Sequence, residues 1–312
     1  MIEVCNSCLE PKHDGECITP EDAVPHIETL DQAIEFSGKV MQDAMSRYDL
    51  KGMVGLFSGG NDSTLMVHLT RPFLTHAAHI NTGIGIPETT QFVKDTCKIL
   101  DLELIELITP PEVYEALVLN PGSLRQRPQR DSYEPGFPGP NAHGTAYFYL
   151  KQRRIRELRR MFVAPRSGKL VGFVTGIRQS ESTRRMGRGI TQPIKESDKD
   201  GGIVWINPVI AFTPTLMNQY RERFNVPRNP VADLLHRSGE CLCGAFAKAD
   251  ELKEIELWYP EVGARIRGYE RKLKEMGVPR CAWGGQGKIS KMPPPGPLCH
   301  SCTIGDEHVH RD

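Results

Sequence analysis

The sequence has no excess charge of either sign: 39 lysines and arginines face 39 aspartates and glutamates over 312 residues. No global field therefore draws the chain toward nucleic acid or an anionic membrane. It also lacks an apolar run long enough to cross a bilayer, and its acidic beginning does not resemble a secretion leader. The expectation is a soluble, cytoplasmic protein with no membrane partner. No internal repeat is visible, which argues against a repeat architecture. What the sequence does hold is nine cysteines, an odd number, several of them in close pairs. In an intracellular chain such pairs favour metal over disulfide.

Charge is unevenly spread nonetheless. Residues 1–36 hold nine acidic side chains against Lys12, whereas KQRRIRELRR (151–160) holds six bases against Glu157. That basic run reads as a solvated helix face, with anion or nucleic-acid contact as the alternative. Leu30, Ile34, Met41 and Met45 recur at helical spacing and predict an amphipathic helix ending near Tyr48. GMVGLF (52–57) then predicts a strand, 62–70 a helix, AAHI (77–80) a strand, 88–100 a helix, LELIEL (102–107) a strand and 111–118 a short helix. This alternation predicts an α/β fold with a doubly wound, mostly parallel sheet. Residues 119–143 contain five prolines and read as a long irregular loop, a kind that is commonly functional or mobile. A basic helix (145–161), a strand KLVGFV (169–174), a polar loop to about 201 and a strand GIVWINPV (202–209) follow. Helices near 214–224, 248–258 and 261–276 complete the pattern, and the chain from Gly284 reads as a linker to a Cys/His tail.

The most informative stretch is LFSGGNDSTLMVHL (56–69), a strand that breaks at two glycines and turns directly into a helix. Gly59 and Gly60 let the backbone curl so that amide N–H groups converge, and the dipole of the following helix adds to their attraction for an anion. Ser58 and Ser63 offer hydroxyl donors, and Asp62 suits a magnesium ion that would neutralise phosphate. A tight turn with Asn61 or Asp62 as a plain helix cap is the simpler alternative.

SGGNDS (58–63) resembles the SGG-x-DS phosphate loop of the N-type ATP pyrophosphatases. HINTGIGIPETTQF (79–92), GIRQSESTRR (176–185) and NPVIAFT (207–213) resemble, in order, further motifs of the phosphoadenosine phosphosulfate reductase-like branch, which includes sulfate adenylyltransferase small subunits and DNA phosphorothioation sulfurtransferases. The likeness covers roughly residues 36–245. It implies an adenine nucleotide alpha hydrolase-like fold that takes ATP with Mg²⁺. The positions it assigns to the nucleotide are Phe57, Ser58, Gly59, Gly60, Asn61, Asp62, Ser63, Asn81, Thr82, Gly83, Gly176, Arg178, Glu181 and Ser182. Asp62, Arg178 and Arg185 are the implied catalytic residues. Two positions depart from the pattern: Asn61 stands where lysine is common, and Asn81 replaces the aspartate of the second strand. Arginine forks at 178 and 185 suit phosphate or sulfate oxygens and could supply the charge that Asn61 lacks. Lys151 matches a lysine of relatives, without the cysteine usually found just upstream.

Three cysteine sets remain. Relatives often hold an iron–sulfur cluster on an Arg-x-Gly-Cys-x-x-Cys segment. HRSGECLCGAF (236–246) is tighter, with Cys241 and Cys243, and Cys281 follows two helices later; together they would hold three corners of a [4Fe–4S] cluster, with zinc or idle thiols as alternatives. Cys5, Cys8, His13 and Cys17 have spacing that suits tetrahedral zinc, as do Cys299, Cys302, His308 and His310. Cys97 reads as a packed thiol. The resulting organisation is a zinc nodule at 1–25, a nucleotide-binding domain at 26–235, a helical region with cluster cysteines at 236–285, and a linker and metal-binding tail at 286–312.

The function expected on this reading is ATP-dependent adenylation with release of pyrophosphate, followed by transfer of sulfur from a donor to a nucleic acid or small molecule. One alternative is a sulfonucleotide reductase, which needs a Glu-Cys-Gly-Leu-His-type segment that this chain does not carry. Another is a nucleotide-binding regulator or scaffold without turnover. Assembly as a homo-oligomer is left open.

Overall fold

A computed structural model of the chain describes residues 24–124, 134–164, 166–179, 192–197, 201–248 and 250–284. The first helix, α1 (Leu30–Arg47), opens on a capping box: Thr29 accepts from the Gln32 amide at 3.3 Å, and the Gln32 side chain accepts from the Thr29 amide at 3.1 Å. It buries Ala33, Ser37, Val40, Met41 and Ala44, the stripe that helical spacing predicts. The expected alternation follows as β1 (Leu50–Leu56), α2 (Asn61–Thr70), β2 (His76–Asn81), α3 (Pro87–Ile99), β3 (Leu104–Ile108) and α4 (Pro111–Leu119).

The next helix is not uniform. α5 (His143–Tyr147) runs through a π turn (Phe148–Gln152) into α6 (Arg153–Phe162). α6 buries Ile155 and Leu158, and Arg153 stacks 5.4 Å from the Tyr149 ring centre. Beyond it come β4 (Leu170–Val174), β5 (Ile194–Glu196), β6 (Ile203–Ile206), α7 (Pro214–Phe224), α8 (Pro230–Leu235), α9 (Glu251–Trp258) and α10 (Pro260–Glu275). The sequence reading did not anticipate β5 or α8. Ile194-Lys195-Glu196 offers one apolar residue, and its strand character comes from pairing with β6. α8 is too short for periodicity to reveal.

The six strands lie in the order β3-β2-β1-β4-β6-β5, all parallel except β5, which runs against β6. Alternate residues feed opposite faces, as strand geometry demands. Met53, Ala77, Val174 and Val204 join α1, α2, α3 and α7 in one core, while Val54, Ala78, Phe173 and Ile203 join α6 in the other. A third apolar cluster joins Ile84 and Ile86, just past β2, to Tyr114 of α4, Leu150 of the π turn, and the helices from α8 to α10. No helix among the described residues is long and apolar enough to cross a membrane.

This strand order fixes where a ligand belongs. From β1 the chain winds outward to β3, then returns to the other side of β1 as β4. The crevice between the carboxyl ends of β1 and β4 is the topological switch point at which open α/β sheets bind ligands.

Candidate phosphate-binding site

β1 delivers Phe57–Gly60 to that crevice. Gly59 has φ +76°, and a Cβ there would come 2.8 Å from Thr89 Cγ2, so both conformation and space require glycine. Gly60 is the N-cap of α2 and supplies no capping side chain, which leaves the first-turn amides to an outside acceptor. Around them the hydroxyls are drawn together: Ser63 Oγ donates to Gly60 O at 2.9 Å and lies 3.0 Å from Ser58 Oγ. Thr64 Oγ1 donates to the same carbonyl at 2.9 Å. Asn229 Nδ2 steadies the turn from outside by donating to Gly59 O at 2.9 Å.

The loop after β4 closes the other side. A Cβ on Gly176 would meet the Asp62 backbone and the Ser63 nitrogen at 2.9 Å, so this glycine lets the loop press on the first turn of α2. Arg178 reaches the same turn and is 1% exposed. Its Nε forms an ion pair with Asp62 Oδ2 at 3.0 Å. The arginine is thus engaged with the loop's own carboxylate. Asp62 Oδ1 is buried and without a hydrogen-bond partner among the described residues.

At the end of β2 the polar side chains are tied to neighbouring elements. Asn81 Oδ1 accepts from the Gly83 amide at 3.0 Å, and its Nδ2 donates to Glu106 Oε1 at 3.0 Å. Thr82 is fully buried and donates to Glu240 O at 2.6 Å. The Phe57 ring packs edge-on to Phe92 in the core, so only its backbone belongs to the turn. That backbone is tied in too, because Phe57 O meets His79 Nδ1 at 2.9 Å.

A segment distant in sequence forms the remaining wall. Ser238 lies against Gly60, whose added Cβ would sit 3.2 Å from Ser238 Cβ, and Thr89 Oγ1 donates to Ser238 O. Gly239 O accepts from the Ile86 amide at 2.8 Å. Glu240 is buried with its carboxylate 2.8 Å from Lys151 Nζ. Burial works against the Lys151 charge, but Glu240 and the neighbouring Cys241 outweigh it and hold the ammonium above its ordinary range.

Comparison with known proteins matches the phosphoadenosine phosphosulfate reductase domain to residues 52–263. The chain belongs to this family. The loop at 58–63, the Gly176–Arg178 wall and the Ser238–Cys243 segment all fall within the matched span of this reductase-domain protein. It is similar to a "Probable FAD synthase" of Caenorhabditis briggsae, 28% identical over 104 residues, which cover 30% of this chain and 19% of that protein. The chain thus spans about a fifth of the length of that curated relative. Among solved structures it is similar to phosphoadenylyl-sulfate reductase from Candida auris, at 15% identity and TM-score 0.42, covering 67% of this chain and 94% of that one. It is also similar to FMN adenylyltransferase from Candida glabrata in complex with FMN and an ATP analogue, at 14% identity and TM-score 0.43, covering 66% and 61%.

The residues of this reductase-domain protein fit the expected cofactors unequally. For Mg²⁺, Asp62 Oδ1 is a carboxylate oxygen beside the loop that Arg178 does not engage. The three-thiol iron–sulfur expectation finds no support. Among the described residues no three His, Cys, Asp or Glu side chains gather as a metal site. Cys241, Cys243 and Cys281 are free thiols and do not gather as three ligands. The carboxylate that precedes Cys241, Glu240, is bound to Lys151. Glu181, Ser182 and Arg185 lie outside the described residues, as do Cys5, Cys8, His13 and Cys17 and also Cys299, Cys302, His308 and His310.

Asn229, Thr89, Ser238 and Glu240 escaped the sequence reading although they build the walls of the loop. For Asn229 there was a signal: it precedes Pro230, accepts from the Val231 amide at 3.0 Å and caps α8. The other three meet partners distant in sequence, Thr89 through its hydroxyl, Ser238 through its carbonyl and Glu240 through both carbonyl and carboxylate, and no local pattern encodes such contacts.

Proposed function

We propose that this chain binds the phosphates of ATP in the 58–63 turn and transfers the adenylyl group to an oxygen of its substrate. The acceptor oxygen attacks the α-phosphorus, the bond from that phosphorus to the bridging oxygen breaks, and pyrophosphate leaves with the electron pair. One observation supports this above the others: the uncapped amides of α2, ringed by the Ser58 and Ser63 hydroxyls, stand at the switch point of the sheet. Such preorganised donors stabilise charge as it develops on a departing phosphate. Arg178 positions the turn through Asp62. Mg²⁺ entering with ATP would be held by Asp62 and would neutralise phosphate charge. The likeness to a FAD synthase is in keeping with adenylyl transfer. Subsequent displacement of AMP by a sulfur donor, on a nucleic acid or a small molecule, is the finer form of this proposal.

Calorimetry with MgATP on the intact protein tests it. ATP should bind, and Ser63→Ala should weaken binding about tenfold, the loss expected when a hydrogen bond to a charged group worth ~1.5 kcal/mol is removed. A folded Ser63→Ala protein with unchanged affinity would remove the loop from the site. Sulfite release from adenylyl sulfate with a thiol reductant, in the absence of ATP binding, would replace the proposal with the reductase alternative.

A further inference from the structure

At the opposite end of the sheet from the phosphate turn lies a cleft that the proposed reaction does not use. It has a volume of about 450 Å³ and sits where α6 ends and β4 and β6 begin. β4 is five residues long, so the cleft lies about 16 Å along the sheet from the switch point. Three cations line it: Arg159 from the last turn of α6, and Arg166 and Lys169 from the connection to β4. Against them stands one lining carboxylate, Glu196 at the end of β5.

The surrounding backbone favours a ligand here. Arg159 Nη1 donates to Gly201 O at 2.8 Å, which fixes the guanidinium at the wall and uses one of its five donors. Arg166 is exposed and takes φ +60°, a left-handed conformation that a residue with a Cβ adopts only at a cost; such residues gather at ligand clamps. A Cβ added to Gly168 or to Gly201 would meet nothing within 4 Å, so both segments border open space. Three other arginines of α6 are engaged along the helix itself. Arg153 stacks on Tyr149, Arg154 pairs with Glu157 at 2.7 Å, and Arg156 lies 5.9 Å over the Phe148 ring. The basic run is therefore no open strip of charge for a long polyanion, and its free end faces the cleft.

We propose that this cleft binds a small phosphate monoester by its phosphate group. The dianion would stand among Arg159, Arg166 and Lys169, where two planar forks and one point charge match its three terminal oxygens. The volume is that of a small-molecule site and leaves room for a sugar-sized remainder. The proposal does not depend on adenylyl transfer.

Full-length protein labelled with ¹⁵N-glycine is titrated with sodium phosphate and with ribose 5-phosphate, each at constant ionic strength. The amides of Gly168, Gly201 and Gly202 read this cleft, and those of Gly59, Gly60 and Gly176 read the phosphate turn, so the two sites report apart. The first three should shift along one saturable curve with either probe. Arg166→Gly suits the left-handed backbone, so it should stay folded while weakening binding about tenfold, the loss of one bond to a charged group. Glu196→Gln should strengthen binding of inorganic phosphate about threefold by removing one surface repulsion. Three results would each overturn the proposal: no saturable shift at the three cleft glycines, shifts that Arg166→Gly and Lys169→Gln both leave unchanged, or shifts with inorganic phosphate but none with ribose 5-phosphate. A hexadeoxynucleotide without terminal phosphate that moves these amides when ribose 5-phosphate does not would also overturn it, and would assign the cleft to a nucleic-acid backbone. MgATP calorimetry on the same protein reports separately on the adenylylation proposal.

Discussion

Asn81 shows how one atom's identity can be dictated by a neighbour. Its carboxamide accepts from the Gly83 amide and donates to Glu106, which in turn pairs with Lys94 at 2.8 Å. A carboxylate at 81 would place two negative oxygens at hydrogen-bond distance with no proton between them. Burial pushes the Glu106 carboxyl up, but the bonds from Asn81 and Lys94 prevail and hold it below its ordinary value. Asn81→Asp should therefore lower the urea midpoint at neutral pH by the equivalent of about 1–3 kcal/mol, the cost of an unmade bond to a charged group. Adding Glu106→Gln should recover most of it by restoring a donor. An Asn81→Asp protein as stable as the parent would show that the amide is not needed as a donor. The departure from an aspartate thus has a structural cause on β3.

At the scale of elements, α2 is pinned at both ends: Asp62 meets Arg178 in its first turn, and His68 near its end meets Tyr220 of α7 at 3.0 Å. Burial holds the His68 imidazole below its ordinary value and pushes the Tyr220 phenol up to about 12. The imidazole is therefore harder to protonate folded than unfolded, and its neutral form contributes stability that is fully present above the unfolded value near pH ~6.5. That contribution is lost as pH falls through the lower folded value. Urea melts from pH 7.5 downward should show a decline below ~6.5 that His68→Gln flattens; an equal decline in the variant would assign it to other groups. Elements of this kind were readable where residues carry their own evidence. β1, β2 and β4 are buried on both faces and so read as apolar runs, and the paired glycines and serines announced the turn into α2. β5 was not readable, because an edge strand of three residues is made by its partner.

Over the whole molecule, the C-terminal helices are joined to the sheet through apolar packing at the strand ends. Trp283 lies at the centre of that junction: its indole covers Gly244, its Nε1 donates to Leu242 O, and its amide donates to Glu270 Oε1 at 2.9 Å. The same cluster takes in Ile84 and Ile86 after β2, Tyr114 of α4 and Leu150 of the π turn. Trp283→Ala should cost about 3–5 kcal/mol through the cavity it leaves, with about 1 kcal/mol more for the stranded carbonyl. Because the cluster spans both parts, the cost should fall on the molecule as a unit, with one calorimetric transition moved to lower temperature. Two separated transitions in the variant, the lower one confined to α9 and α10 by hydrogen exchange, would show that these helices are a separable appendage. In that case the walls contributed by Ser238 and Glu240 would loosen before the sheet does, and nucleotide affinity would fall at temperatures where β1 and α2 are still folded.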